Sequence, residues 1–108
     1  MISWEDFEKV DIRVGTIISA VPLENARNPA YVLQIDFGDI GILKSSAQIT
    51  KLYTSEQLIG TQILAVTNFP PKQIGVIQSQ CLVLGFKTDD GVVLAIPEKH
   101  IHNGSKLC

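Results

Sequence analysis

The stretch Ile12-Arg13-Val14-Gly15-Thr16-Ile17-Ile18-Ser19-Ala20 decides the fold. Its period is two: Ile12, Val14, Ile18 and Ala20 fall on one face, and Arg13, Gly15 and Ser19 on the other. A half-buried strand produces that alternation. Gly15 in its middle marks a bulge or a sharp coil, as a sheet needs where it bends into a small barrel. Upstream, Ser3 followed by Asp6 has the form of a capping box, with acidic side chains in the first turn. A short helix is therefore expected from about Trp4 to Lys9, with Trp4 and Phe7 on one face. It is too short to stand alone and must pack on something.

Downstream, Pro22 to Pro29 reads as a loop, and Tyr31, Leu33, Ile35 and Phe37 then alternate against Val32, Gln34 and Asp36. Gly38-Asp39 turns the chain into a third strand, Ile40 to Lys44. Between Ser45 and Gly60 the strand pattern breaks. Thr54 or Ser55 caps a turn of helix through Leu58, ended by Gly60. A fourth strand, Thr61 to Thr67, is apolar on both faces and so central. A fifth runs from Gln80 to Lys87, and Asp90-Gly91 signals a hairpin into Val92 to Ile96. The tail from Pro97 carries turn residues at Asn103-Gly104. Short strands with one helical turn between the third and fourth fit an all-β fold, a five-stranded Greek-key barrel of OB type, with an SH3-like barrel as the alternative. Residues 1–108 form a single domain with no repeats or linkers.

The segment Asn68 to Gly85 (N-F-P-P-K-Q-I-G-V-I-Q-S-Q-C-L-V-L-G) carries the functional signal. Pro70 and Pro71 fix their φ angles and donate no N–H, so an ordinary hairpin or helix is not expected there. A stiff exposed loop on a β scaffold suits recognition. Phe69, Pro70, Pro71 and Ile74 give an apolar lip. Asn68, Gln78, Ser79 and Ser46 supply donors and acceptors, and Lys44, Lys72 and Arg13 supply positive charge. Such a mixture suits an extended peptide or a flipped base.

Composition narrows the partners. Nine basic and eleven acidic residues leave a net charge of −2, so no global field draws the chain to nucleic acid. A local basic patch has only Arg13, Arg27, Lys44, Lys51 and Lys72 to draw on. An apolar fraction of 45% is rich for so small a chain and points to a groove or a subunit interface. No apolar stretch approaches a membrane span and the N-terminus lacks signal-peptide character, so a cytoplasmic protein is expected.

Catalytic chemistry finds little support. His100 and His102 share a face if extended, but a third metal ligand is not evident, and two solvated imidazoles is the plainer reading. Ser45 and Ser46 follow Lys44, yet no positioned base can be assigned to them. Glu5, Asp6 and Glu8 read as a solvated helix face, and Asp11 as an ion-pair partner of Arg13. Cys81 sits in an apolar run as a small hydrophobe, and a disulfide to Cys108 is not expected. P-loop, dinucleotide and zinc signatures are absent. A binding module without enzymatic activity, cofactor or metal is the expectation.

The segments Asp11-Ile12-Arg13-Val14-Gly15-Thr16-Ile17, Lys44-Ser45-Ser46-Ala47-Gln48-Ile49-Thr50 and Asn68 to Gly85 resemble the tRNA-binding-domain family, in order and at the right spacing over nearly the whole chain. That family includes the C-terminal domains of methionyl-tRNA synthetases and the EMAP II cytokine. S-S-A-Q-I-T with N-F-P-P resembles its branch of export-related chaperones of CsaA type. The resemblance implies an OB barrel and a homodimer built with N- and C-terminal extensions, with Trp4 and Phe7 at the interface. It implies an ATP-independent chaperone with a pocket for unfolded or export-destined polypeptide, and the export ATPase SecA as a partner. The pocket residues it implies are Arg13, Lys44, Ser45, Ser46, Asn68, Phe69, Pro70, Lys72, Gln78 and Ser79. The alternative is structure-specific tRNA binding on the same face. In tRNA-binding members the loop after Asn is more basic and a Glu precedes the Ser; here only Lys72 is basic, and Gln78 precedes Ser79. That departure weakens affinity for tRNA.

Overall fold

A computed structural model describes residues 1–108. Helix α1 (Trp4–Glu8) opens the chain. Ser3 accepts from the Asp6 amide, and the Asp6 carboxylate accepts from the Ser3 amide. These bonds hold the Asp6 carboxyl below the ordinary aspartate range. The helix buries none of its own residues, and Trp4 is 87% exposed.

Strand β1 (Ile12–Pro22) pairs antiparallel with β2 (Tyr31–Asp36), which pairs with β3 (Ile42–Ala47). The expected alternation of β2 is present, with Tyr31, Leu33, Ile35 and Phe37 buried. In β1 the expectation fails halfway. Ile17 is fully buried and Ile18 is 41% exposed. The register slips between Ile17 and Ser19, so one extra residue flips the faces. The bulge sits here rather than at Gly15, which pairs regularly with Ile63. The glycine instead permits close packing, since a Cβ on it would lie 2.6 Å from Ile35 Cγ2.

Strand β3 begins two residues later than expected, because Gly38–Ile40 winds into a single tight turn flanked by glycines at φ +70° and +106°. Helix α2 (Ser55–Leu58) is capped reciprocally by Thr54 and Gln57, and the chain leaves it through Gly60 at φ +90°. Strand β4 (Gln62–Val66) pairs with β1 on one edge and with Leu82–Val83 on the other, as its two-sided apolar pattern requires. Between them stand β5 (Lys72–Ile74) and β6 (Ile77–Ser79), a hairpin that the proline loop was not expected to allow. The prolines precede its ladder and owe it no donor, and Gly75 takes the turn at φ +59°. The run read as one fifth strand is two. Strand β7 (Leu82–Val83) pairs with β4, and β8 (Gly85–Thr88) leaves to pair with β9 (Gly91–Leu94) across the Asp89-Asp90 turn.

The order β3-β2-β1-β4-β7 makes a nearly closed five-stranded antiparallel barrel, consistent with an OB fold. Gln80 N donates to Lys44 O at 2.8 Å across the remaining gap. Ile17, Leu33, Ile35, Phe37, Leu58 and Ile63 fill the interior. Each contributes about 1.5–3 kcal/mol by leaving water. The tail returns as a strap along β1: Ser105 O accepts from Val14 N, Gly104 N donates to Val14 O, and Leu107 N donates to Ile12 O. Gln62 Nε2 donates to Ile101 O at 2.6 Å and Thr16 Oγ1 to Asn103 Oδ1 at 2.8 Å, which pins the strap down. No helix is long and apolar enough to cross a membrane.

Candidate polypeptide-binding cleft

Ser46 on β3, the proline loop and the β5–β6 hairpin enclose a cleft of about 430 Å³. Its apolar wall is Phe69, Pro70, Ile74 and Leu82. Ser46, Ser79 and Gln80 give the polar side, Cys81 lies at the base, and Lys72 is the sole charged lining residue. Phe69 is 49% exposed, although an aromatic ring of its size normally finds a partner. The volume falls in the range of small-ligand sites, about 300–1,000 Å³.

The side behind the cleft is stitched by side chains. Lys44 N donates to Gln80 Oε1 at 2.9 Å and Ser46 N to Ser79 Oγ at 3.1 Å, so side-chain oxygens serve the edge of β3 where no strand continues. Ser45 is 1% exposed and donates to Cys81 O at 2.9 Å. Burial pushes the Cys81 thiol up to about 11, and the hydrogen bond with Ser45 draws it back only in part. Both cysteines are free thiols. The thiol at the base is thus neutral at physiological pH and behaves as an apolar surface.

Of the ten residues in the predicted pocket, Ser46, Phe69, Pro70, Lys72 and Ser79 line this cleft together. Ser45 and Lys44 belong to the strand behind it. Gln78 is exposed on β6, paired with Gln73, outside the lining. Asn68 stands at the start of the loop, with both ends of its carboxamide hydrogen-bonded to backbone near α1. Arg13 lies elsewhere: Nε donates to Asp11 Oδ1 at 2.7 Å and Nη1 to Gly104 O at 3.0 Å, beside a shallow depression of about 210 Å³. The ion pair of Asp11 with Arg13 is as expected. Cys81 and Leu82 line the cleft without having been expected there. Their apolar run reads as core, and only the nearby strand break exposes one side of it.

A second concavity, about 880 Å³, lies between the chain ends. Ile2, Trp4, Phe7 and Val10 line it with Leu107 and Cys108. Trp4 and Phe7 share this groove, as the helix periodicity requires.

Comparison with known proteins gives a consistent answer. The family described as a putative tRNA binding domain matches residues 12–106. The crystal structure of the chaperone CsaA from Bacillus anthracis superposes with a TM-score of 0.94 at 48% identity, covering 100% of this chain and 99% of that one. The CsaA chaperone protein from Picrophilus torridus gives 0.95 at 50% identity, with 100% of both chains covered. A methionine–tRNA ligase of Methanococcoides burtonii is 34% identical over 97% of this chain, which spans only 15% of that protein's length. The chain therefore belongs to the tRNA-binding-domain family, in its CsaA branch.

Proposed function

We propose that the protein is an ATP-independent holding chaperone for unfolded or export-destined polypeptide segments, working in the cytoplasm as a homodimer. The observation that carries this reading is the cleft itself. An apolar wall at Phe69, Pro70, Ile74 and Leu82 faces hydroxyls and a carboxamide at Ser46, Ser79 and Gln80, and it contains one cation and no group for bond-making. Such a surface holds an apolar side chain and hydrogen-bonds the peptide backbone beside it. The likeness to two chaperones at about half identity supports the same reading. The groove with Trp4 and Phe7 is the proposed dimer face, and an export ATPase of SecA type is the proposed downstream partner.

The second reading is tRNA binding on the same barrel face. The family description favours it, as does the local charge: between Ile40 and Thr88 there are four lysines and one acid, Glu56. A paired titration separates the two. A labelled unfolded polypeptide is expected to bind with weak salt dependence, while tRNA binding in gel shift is expected to be weak. Tight tRNA binding that falls steeply with salt, without capture of the polypeptide, would replace the first reading with the second.

A further inference from the structure

Asn68 has the chemistry of a ligand contact, yet its carboxamide is committed. Oδ1 accepts from Asp11 N at 2.9 Å and Nδ2 donates to Lys9 O at 2.8 Å. The preceding residue joins the same hub. Thr67 N donates to Asp11 O at 2.8 Å, and its hydroxyl lies 2.9 Å from Asp11 Oδ2. The other carboxylate oxygen takes Arg13 Nε, with Lys106 Nζ 4.0 Å away, and Arg13 reaches on to Gly104 O. Three segments distant in sequence thus meet at Asp11: the end of α1, the C-terminal strap and the root of the proline loop.

The hub stands between the two concavities. Lys106 lines the terminal groove, and Lys9 ends the helix that supplies Trp4 and Phe7 to it. Asn68 is covalently followed by Phe69 and Pro70, which line the cleft. Pro70 and Pro71 have fixed φ angles, so the loop has little slack to absorb a change at its root. A shift of α1 reaches Phe69 through one side chain and one peptide bond.

We infer that Asn68 is a positioning residue for the cleft: it clamps the Phe69 rim to the N-terminal helix and so couples occupancy of the cleft to the state of the terminal groove. The coupling is reciprocal, each site biasing the other by the same factor. This rests on the reading of the cleft as a polypeptide site.

The test uses the full chain and reduced, carboxymethylated ribonuclease A, an unfolded polypeptide without tryptophan. Fluorescein-labelled probe gives affinity by anisotropy. Unlabelled probe is followed by the emission of Trp4, the single tryptophan. Phe69→Ala is expected to weaken capture strongly. Asn68→Ala is expected to weaken it about tenfold, the scale of two lost hydrogen bonds. The double variant is expected to bind no worse than Phe69→Ala alone, because Asn68 acts through that ring. Binding shifts Trp4 emission in the parent protein and not in Asn68→Ala at saturating probe. Asn68→Asp keeps the acceptor for Asp11 N and loses the donor to Lys9 O. It gives an intermediate loss if Asn68→Ala fails to fold. Parent-like affinity in a folded Asn68 variant, or losses that multiply in the double variant, would overturn the clamp while leaving the cleft reading intact. Undiminished capture by Phe69→Ala would overturn the cleft reading and the clamp with it.

Discussion

Gly15 and Phe37 touch so closely that a single methyl group on the glycine would meet Phe37 Cε1 at 2.7 Å and Cδ1 at 2.8 Å. The ring is fully buried, with Ile35 beside it. Gly15→Ala should therefore cost about 1–3 kcal/mol by overpacking. Urea denaturation should show a lower midpoint at an unchanged slope; an unmoved midpoint would mean that the ring swings aside freely.

Cys81 and Cys108 should differ sharply toward alkylating reagents. With the Cys81 thiol at about 11, roughly one molecule in a thousand carries the thiolate at pH 8. Mass mapping after iodoacetamide at that pH should find label on the exposed Cys108 and almost none on Cys81. The thiol stays protonated in the folded chain while the unfolded chain ionises, so its stabilisation is complete below the unfolded value, near 8.5–9, and is lost as pH rises toward 11.

Asp11 gives the opposite slope. Its partial burial raises the carboxyl, but hydrogen bonds from Thr67 and Arg13 and the charges of Arg13 and Lys106 outweigh that and hold it below the ordinary aspartate range. The stabilisation is present above about pH 4 and is lost as pH falls through the lowered folded value. Thermal melts between pH 6 and 3 should show this loss. Asp11→Asn should flatten the slope and cost about 1–3 kcal/mol at neutral pH. An Asn variant with the parent's acid profile would assign the slope to other carboxylates, such as Asp6.

Replacing Trp4 and Phe7 together with Ala removes both aromatic side chains that line the terminal groove. Sedimentation should show the proposed dimer for the parent protein and a monomer for the double variant. Because no residue of α1 is fully buried and Trp4 is 87% exposed, the melting temperature of the barrel at low protein concentration should move little. A double variant that still sediments as the parent dimer would place the interface elsewhere.

Local chemistry made much of the barrel readable beforehand. The alternation from Tyr31 to Phe37, the Thr54 cap and the Asp90-Gly91 turn each depend on neighbours within a few residues, and each was found near its expected place. The failures have two causes. The hairpin after Pro71 is local, and was unexpected because the prolines stand before its ladder rather than in it. The flip at Ile18 and the division of the fifth strand around Leu84 depend on which partner strand comes alongside. Leu84 N donates to Leu64 O while its own carbonyl accepts from Ala95 N, a handover between two sheets that no local pattern encodes. The site shows the same division. Phe69, Pro70 and Lys72 could be read from the stiff loop, whereas the roles of Asn68 and Arg13 rest on partners 57, 59 and 91 residues away.

The strap along β1 carries a consequence for synthesis on the ribosome. One edge of Ile12–Val14 is served by Gly104–Leu107, which the ribosome makes some ninety residues later. Until those residues emerge, the nascent chain presents an open strand edge at Ile12–Val14, the condition under which partly made proteins stick to one another. Under the proposed function, a holder of unfolded polypeptide would, for that interval, itself need holding.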